Sequence, residues 1–189
     1  MGVERSACVL VVDGFEEIEA VTVVDVLRRA GVQVSVLGVD HRTVTGSHGL
    51  TLKVDASLGD VIDLDTTFNL VVLPGGMPGA SSLRDSERAK GFVVAQRARG
   101  ADIAAICAGP IALAAYGVLD GRRATCFPGH EAALEKGGAV VVGDDVVEDG
   151  DVVTSRGVGT ALAFALALVR RLVDEGTAND LADKMFVAR

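Results

Sequence analysis

Three short apolar runs, at residues 7–12, 70–73 and 101–106, each stop abruptly at a polar or glycine-rich break. Runs of this length, rich in Val, Leu, Ile and Ala, fit strands buried on both faces. Only Asp102 interrupts the third. Between the runs lie stretches with helical spacing. Residues 16–30 place Ile18, Val21, Val24 and Leu27 along one stripe and close at Gly31, a helix-ending glycine. Further helices are predicted over 86–99, 111–116, 159–173 and 178–186. A second strand is predicted over 32–39, and a small hairpin joins 43–45 to 50–54 around Gly46-Ser47-His48-Gly49. Strands over 140–147 and 152–154 flank the turn Asp149-Gly150-Asp151. Buried strands alternating with helices give an α/β fold, a mostly parallel sheet with helices on both faces. No linker or internal repeat interrupts the pattern, so residues 1–189 are expected to form one domain.

Charge and cysteine usage narrow the function. The formal net charge is -8 and no Lys/Arg cluster offsets it, which argues against a nucleic-acid partner. Apolar residues make up 49% of the chain, yet no run is long enough for a membrane span. Met1-Gly2 with Ser6 matches a short acylation pattern, read as chance beside the acidic Glu4. Three widely spaced cysteines, Cys8, Cys107 and Cys126, form neither a disulfide framework nor a zinc pattern. They fit a reducing cytosol, and no metal site is expected.

One cysteine has a special setting. In Ala104-Ala105-Ile106-Cys107-Ala108-Gly109-Pro110 a strand ends at Cys107, and Pro110 suits the first turn of the next helix. Small residues two positions before and after allow the sharp turn of a nucleophile elbow. Free N–H groups and the helix end are expected to lower the thiol pKa there. In parallel sheets, sites gather at the carboxyl ends of the strands. The loops there are residues 13–16, 74–79, the elbow, and 154–159. Gly75 and Gly76, with the Ala108 N–H, are candidate oxyanion donors. Glu16 and Glu17 suit the positive end of the first helix, whereas Glu19 could turn inward and, if buried, carry a proton. His48 and His130 are possible auxiliary residues, as are Phe127 and Arg156; His41 reads as a surface loop residue.

The motifs Gly14-Phe15-Glu16-Glu17-Ile18-Glu19, Leu73-Pro74-Gly75-Gly76, the elbow itself and Thr154-Ser155-Arg156-Gly157-Val158-Gly159-Thr160 recur in order across nearly the whole chain. Together they resemble the ThiJ/PfpI superfamily, and within it the branch of the Parkinsonism-associated deglycase. That resemblance implies a flavodoxin-like sandwich, a homodimer, and Cys107 as the reactive, easily oxidised cysteine. It also implies Glu19 as the protonated partner of that sulfur, with Gly75, Gly76 and Ala108 as backbone donors. Relatives carry activities ranging from cofactor-free glyoxalase III and deglycase chemistry to oxidative-stress and chaperone roles. The chain departs from the pattern in two places. Phe127 stands where many relatives have a histidine near the cysteine, and His48 stands where many have an arginine. Ala108 also replaces the histidine that follows the cysteine in the protease branch, which deprives a Cys-His protease or amidase of its base.

The leading expectation is therefore a cytoplasmic enzyme acting on a small dicarbonyl, methylglyoxal or glyoxal or their adducts, with no cofactor. Cys107 attacks the aldehyde carbon, Gly76 and Ala108 hold the oxyanion, and Glu19 moves the proton between adjacent carbons. The alternative is an oxidative-stress sensor or chaperone in which Cys107 becomes a sulfinic acid.

Overall fold

The computed structural model describes residues 5–61 and 66–187. Met1 and Gly2, which carry the acylation pattern, lie outside them. The element order opens with β1 (Ser6–Val11), α1 (Glu17–Arg29), β2 (Gln33–Gly38), β3 (Thr43–Thr45), β4 (Thr51–Lys53), β5 (Ala56–Ser57) and α2 (Leu58–Val61). The middle of the chain supplies β6 (Leu70–Leu73), α3 (Gly79–Asp85), α4 (Glu87–Ala98), β7 (Asp102–Ile106), α5 (Pro110–Ala115), β8 (Arg123–Ala124) and α6 (Glu131–Lys136). It ends with β9 (Val140–Val141), β10 (Val146–Asp149), β11 (Val152–Ser155), a 3-10 turn at Val158–Thr160, α7 (Ala161–Leu172) and α8 (Glu175–Lys184).

The main sheet has seven strands in the order β10-β11-β7-β6-β1-β2-β5. All its neighbours are parallel except β10 and β11, which pair antiparallel. Side chains of β1 alternate between two cores, as the period of two requires. Cys8, Leu10 and Val12 join Leu83, Val93, Ile111 and Leu134 on one face. Ala7, Val9 and Val11 join Val23, Leu27, Phe164 and Leu168 on the other. One layer is thus α3 to α6, and the opposite layer is α1, α7 and α8. This is the α/β sandwich that the strand–helix alternation predicts.

Asp102 has a reason to break its apolar run. Its carboxylate accepts from Arg171 Nε at 2.5 Å and Nη2 at 2.8 Å, tying the start of β7 to α7. Asp151, just before β11, likewise accepts from Arg97 Nε at 2.6 Å and Arg122 Nη2 at 2.8 Å. Charged pairs therefore pin the amino ends of these strands, and the carboxyl ends are left for the site.

Several predicted elements change. Residues 140–147 do not form one strand: Gly143-Asp144-Asp145 divides them, so Val140 pairs with Arg123 and Val146 with Ser155 in a different sheet. Helix α3 begins at Gly79, the last residue of the predicted loop, and fills residues 80–85, for which no element is predicted; α2, α6 and β5 are further short elements. The last helix starts earlier than predicted because the Asp174 carboxylate caps it, accepting from Thr177 N at 2.7 Å. Among the described residues no helix is long and apolar enough to cross a membrane.

Candidate active site

Chain direction reverses about β1. From β1 the chain goes to β2 on one side and later to β6 on the other, which opens a crevice at their carboxyl ends. Cys107 ends β7 beside that crevice. Its φ of 63° lies in the left-handed region that a cysteine seldom adopts. Three backbone bonds hold it there: Cys107 N donates to Ser155 O at 2.9 Å, Gly109 N to Ile106 O at 2.9 Å, and Phe127 N to Cys107 O at 2.8 Å. Gly109 must lack a side chain, since a Cβ would sit 2.6 Å from Leu73 O. The turn thus lifts the thiol off the end of the sheet, as the small flanking residues predict.

The first turn of α1 supplies three carboxylates with three different tasks. Glu16 caps the helix, its Oε2 accepting from Glu19 N at 2.8 Å. Glu17 turns to the β3–β4 hairpin tip: Oε1 accepts from His48 N at 2.7 Å and Leu50 N at 3.3 Å, and Oε2 lies 2.9 Å from His48 Nδ1. Glu19 is 0% exposed and points to the elbow. Its Oε2 accepts from Gly75 N at 2.8 Å, and the carboxyl hydrogen-bonds the Cys107 thiol. The other oxygen, Oε1, is buried with no N–H or O–H partner.

Burial pushes the Glu19 carboxyl up to about 7, against the pull of the Gly75 and Cys107 hydrogen bonds. The Cys107 thiol does not follow the lowering predicted from the helix end. Burial and the neighbouring Glu19 carboxylate push it up to about 12, although the Ala108 and Gly76 N–H groups pull it down. Helix α5 is six residues long, so its field on the sulfur is small. The two acids interact directly, so they titrate as a coupled pair. When Glu19 is protonated, its charge repulsion on the sulfur disappears and the carboxyl can donate a hydrogen bond to it. At Glu17 burial acts upward, but the His48 and Leu50 hydrogen bonds outweigh it and bring the carboxyl down to about 2. The His48 ring is raised in turn by its hydrogen bond to Glu17.

Phe127 overlooks the thiol from another element. His130 N donates to Phe127 O at 3.2 Å, closing a turn with Pro128 second and Gly129 third at φ 100°. That is the sequence a type II turn demands. A Cβ built on Gly157 would meet Phe127 Cδ2 at 3.3 Å and Cys107 Sγ at 3.9 Å, so ring and sulfur face the same gap.

The family comparisons agree with one another. The sequence profile of the DJ-1/PfpI family matches residues 5–171. The chain belongs to the DJ-1/PfpI family. It is 37% identical over 185 residues to Protein dj-1beta of Drosophila melanogaster, covering 97% of this chain and 98% of that protein. It is 35% identical over 190 residues to Glutathione-independent glyoxalase DJR-1.2 of Caenorhabditis elegans, covering 100% of both. The crystal structure of Drosophila DJ-1beta superposes with a TM-score of 0.93 at 36% identity, covering 99% of this chain and 100% of that one. Oxidised DJ-1 of Toxoplasma gondii superposes with a TM-score of 0.91 at 34% identity, covering 98% and 100%.

Within this DJ-1/PfpI chain the candidate residues divide. Cys107, Glu19, Gly76 and Ala108 meet at one point. Gly75 is a donor, but its N–H is used on Glu19 and is not free for an oxyanion. His48 bonds Glu17, and its side chain is 76% exposed. His130 stands against the Phe127 ring, centroids 6.4 Å apart, and Arg156 donates to Gly143 O at 3.3 Å. Neither these histidines nor Arg156 bonds the sulfur among the described residues. Cys8 and Cys126 are buried, 0% and 3% exposed, and burial raises both thiols, Cys126 to about 11. Both side chains are sealed in the core, so neither can meet a substrate as the half-buried Cys107 can. The capping task of Glu16 and the anchoring task of Glu17 were missed by sequence reasoning. The signal available for Glu17 was the small turn Gly46-Ser47, since a Cβ on Gly46 would lie 2.3 Å from Glu17 Oε1.

Proposed function

We propose that this protein converts small 2-oxoaldehydes such as methylglyoxal and glyoxal, free or as adducts, into 2-hydroxy acids through Cys107. The observation that carries the reading is Glu19: buried, bonded to the thiol, and holding one oxygen without a partner. A relative named as a glutathione-independent glyoxalase supports it.

In the thiolate–acid form Cys107 adds to the aldehyde carbon. The carbonyl electron pair becomes an oxyanion, held by the Gly76 and Ala108 N–H groups and protonated by Glu19. The Glu19 carboxylate then removes the proton from that carbon and returns it to the adjacent carbon, while the hydroxyl proton of the first carbon passes to the oxygen of the second. The first carbon is oxidised to a thioester and the second reduced to an alcohol, so the electrons stay within the substrate. Water cleaves the thioester, releasing the hydroxy acid and Cys107. Incubating pure protein with methylglyoxal and measuring lactate tests the reading; absence of turnover rejects it.

The active form is the pair with a single proton. Turnover should therefore rise with pH as the first proton leaves, near 7, and hold level until the second leaves far above. Glu19→Gln cannot pass a proton, so turnover is expected to fall roughly 10²–10⁴-fold. The inflection near 7 should vanish from the pH profile. A Glu19→Gln variant with wild-type turnover and an unchanged profile would exclude Glu19 as the proton carrier.

A second reading rests on the same donors. A sulfinic acid at Cys107 would accept from Gly76 and Ala108 N–H and from protonated Glu19. Mild peroxide that adds two oxygens to Cys107 alone, with no dicarbonyl turnover, favours this sensor role.

The resemblance further proposes a homodimer in the cytoplasm. Ile18 and Val21 on α1 and Leu162 on α7 are 54%, 44% and 39% exposed, an apolar surface suited to a second copy. Sedimentation should give twice the chain mass at micromolar concentration; a monomer there rejects it.

A further inference from the structure

Phe127 is an aromatic ring left 48% exposed at the mouth of a reactive-thiol site. Its position is fixed from both sides. The Cys107 carbonyl accepts from its N–H at 2.8 Å, and the Pro128-Gly129 turn sets its direction. Gly157 keeps the gap between ring and sulfur open. The backbone there, φ 164°, is extended and open to any residue, so what matters is the missing side chain. A single methyl on Gly157 would meet the ring at 3.3 Å and come within 3.9 Å of the sulfur. The residues next to the other site groups are apolar too. Met77 follows the sulfur-binding Gly76 and is 50% exposed, and Val158 follows Gly157 and is 40% exposed. No cation of the described residues bonds the thiol, whose partners are Glu19, Gly76 and Ala108.

We propose that Phe127 is a specificity-determining residue that makes the Cys107 site favour 1,2-dicarbonyls bearing an aromatic substituent over methylglyoxal and glyoxal. This rests on the dicarbonyl reading above. With the aldehyde carbon at the sulfur, the group on the adjacent carbon occupies the gap over Gly157 and reaches the ring. A methyl or hydrogen there leaves most of the ring in water, whereas an aryl group stacks on it. An aromatic pair, with the area it covers, is worth roughly tenfold in affinity.

The test compares kcat/KM for phenylglyoxal and methylglyoxal in wild type, Phe127→Ala and Phe127→Tyr. Wild type should prefer phenylglyoxal, Phe127→Ala should lower the ratio of the two efficiencies roughly tenfold, and Phe127→Tyr should restore it. A ratio unchanged in Phe127→Ala overturns the proposal. A second measurement does not depend on turnover: alkylation of Cys107 by 2-bromoacetophenone relative to iodoacetamide, followed by intact mass. The relative rate should drop by a similar factor in Phe127→Ala. If neither dicarbonyl is consumed, the enzymatic reading fails, and the alkylation ratio alone decides whether Phe127 recruits aryl carbonyls. An unchanged alkylation ratio then overturns the proposal.

Discussion

Cys107→Ala should reduce methylglyoxal turnover to the uncatalysed background, a loss of at least about 10³-fold, because covalent addition has no second route in this site. The two other cysteines cannot substitute. Cys8 is 0% exposed within β1, and Cys126 lies in the core on the opposite face of the sheet from the packing around Cys107. The fold should survive, since the half-buried Cys107 side chain leaves only a small gap. The melting temperature is therefore expected to fall by only a few degrees, from the small gap and the lost thiol hydrogen bond to Glu19. Circular dichroism alongside the kinetic assay separates the two effects. Residual turnover above a tenth of wild type in a folded Cys107→Ala variant would place the chemistry elsewhere.

The second large effect is on stability. Gly76 sits where the loops after β1 and β6 lie on one another: Glu16 N donates to Gly75 O at 2.9 Å and Gly79 N to Gly14 O at 3.2 Å. Its φ is 90°, and a Cβ would stand 2.4 Å from Glu16 N, 2.5 Å from Gly14 O and 2.6 Å from Phe15 C. All three are backbone atoms that cannot swing aside. Left-handed strain and overpacking each cost about 1–3 kcal/mol, so Gly76→Ala should cost roughly 3–5 kcal/mol. For a domain of this size that lowers the melting temperature by about 10 °C or more. The same change should detach the Gly76 N–H from the sulfur and impair turnover in whatever protein remains folded. Gly91→Ala is the internal comparison: it lies inside α4 with nothing within 4 Å of its Cβ. It should be neutral or stabilising by up to about 1 kcal/mol. Calorimetry that finds the two variants equal would remove the packing argument.

Much of this arrangement is legible along the chain because it is local. Apolar runs of four to six residues between periodic helices specify buried parallel strands, and a small-residue elbow specifies where one of them must turn. The four loops at the strand ends are correctly placed from the same pattern. What the pattern handles poorly depends on pairing partners. Val140–Val141 and Val146–Asp149 look continuous in sequence, yet they hydrogen-bond to β8 and β11 respectively. Helix α3 hides behind Pro78 and Gly79, which signal a turn and a helix start equally well.

The site shows the same division. That Cys107 is the sharply held nucleophile candidate follows from its neighbours in sequence, since a strand-to-helix turn of small residues is a property of a few consecutive positions. That Glu19 rather than Glu16 or Glu17 reaches it does not, because all three share one helical turn and differ only in what packs opposite. The fold puts Gly75 and the thiol against Glu19, the hairpin tip against Glu17, and the helix's own amide against Glu16. The direction of the thiol's shift was likewise a tertiary matter. A helix end alone argues for a lowered pKa, but burial beside a second acid outweighs six residues of helix, and that balance exists only once the pair is enclosed.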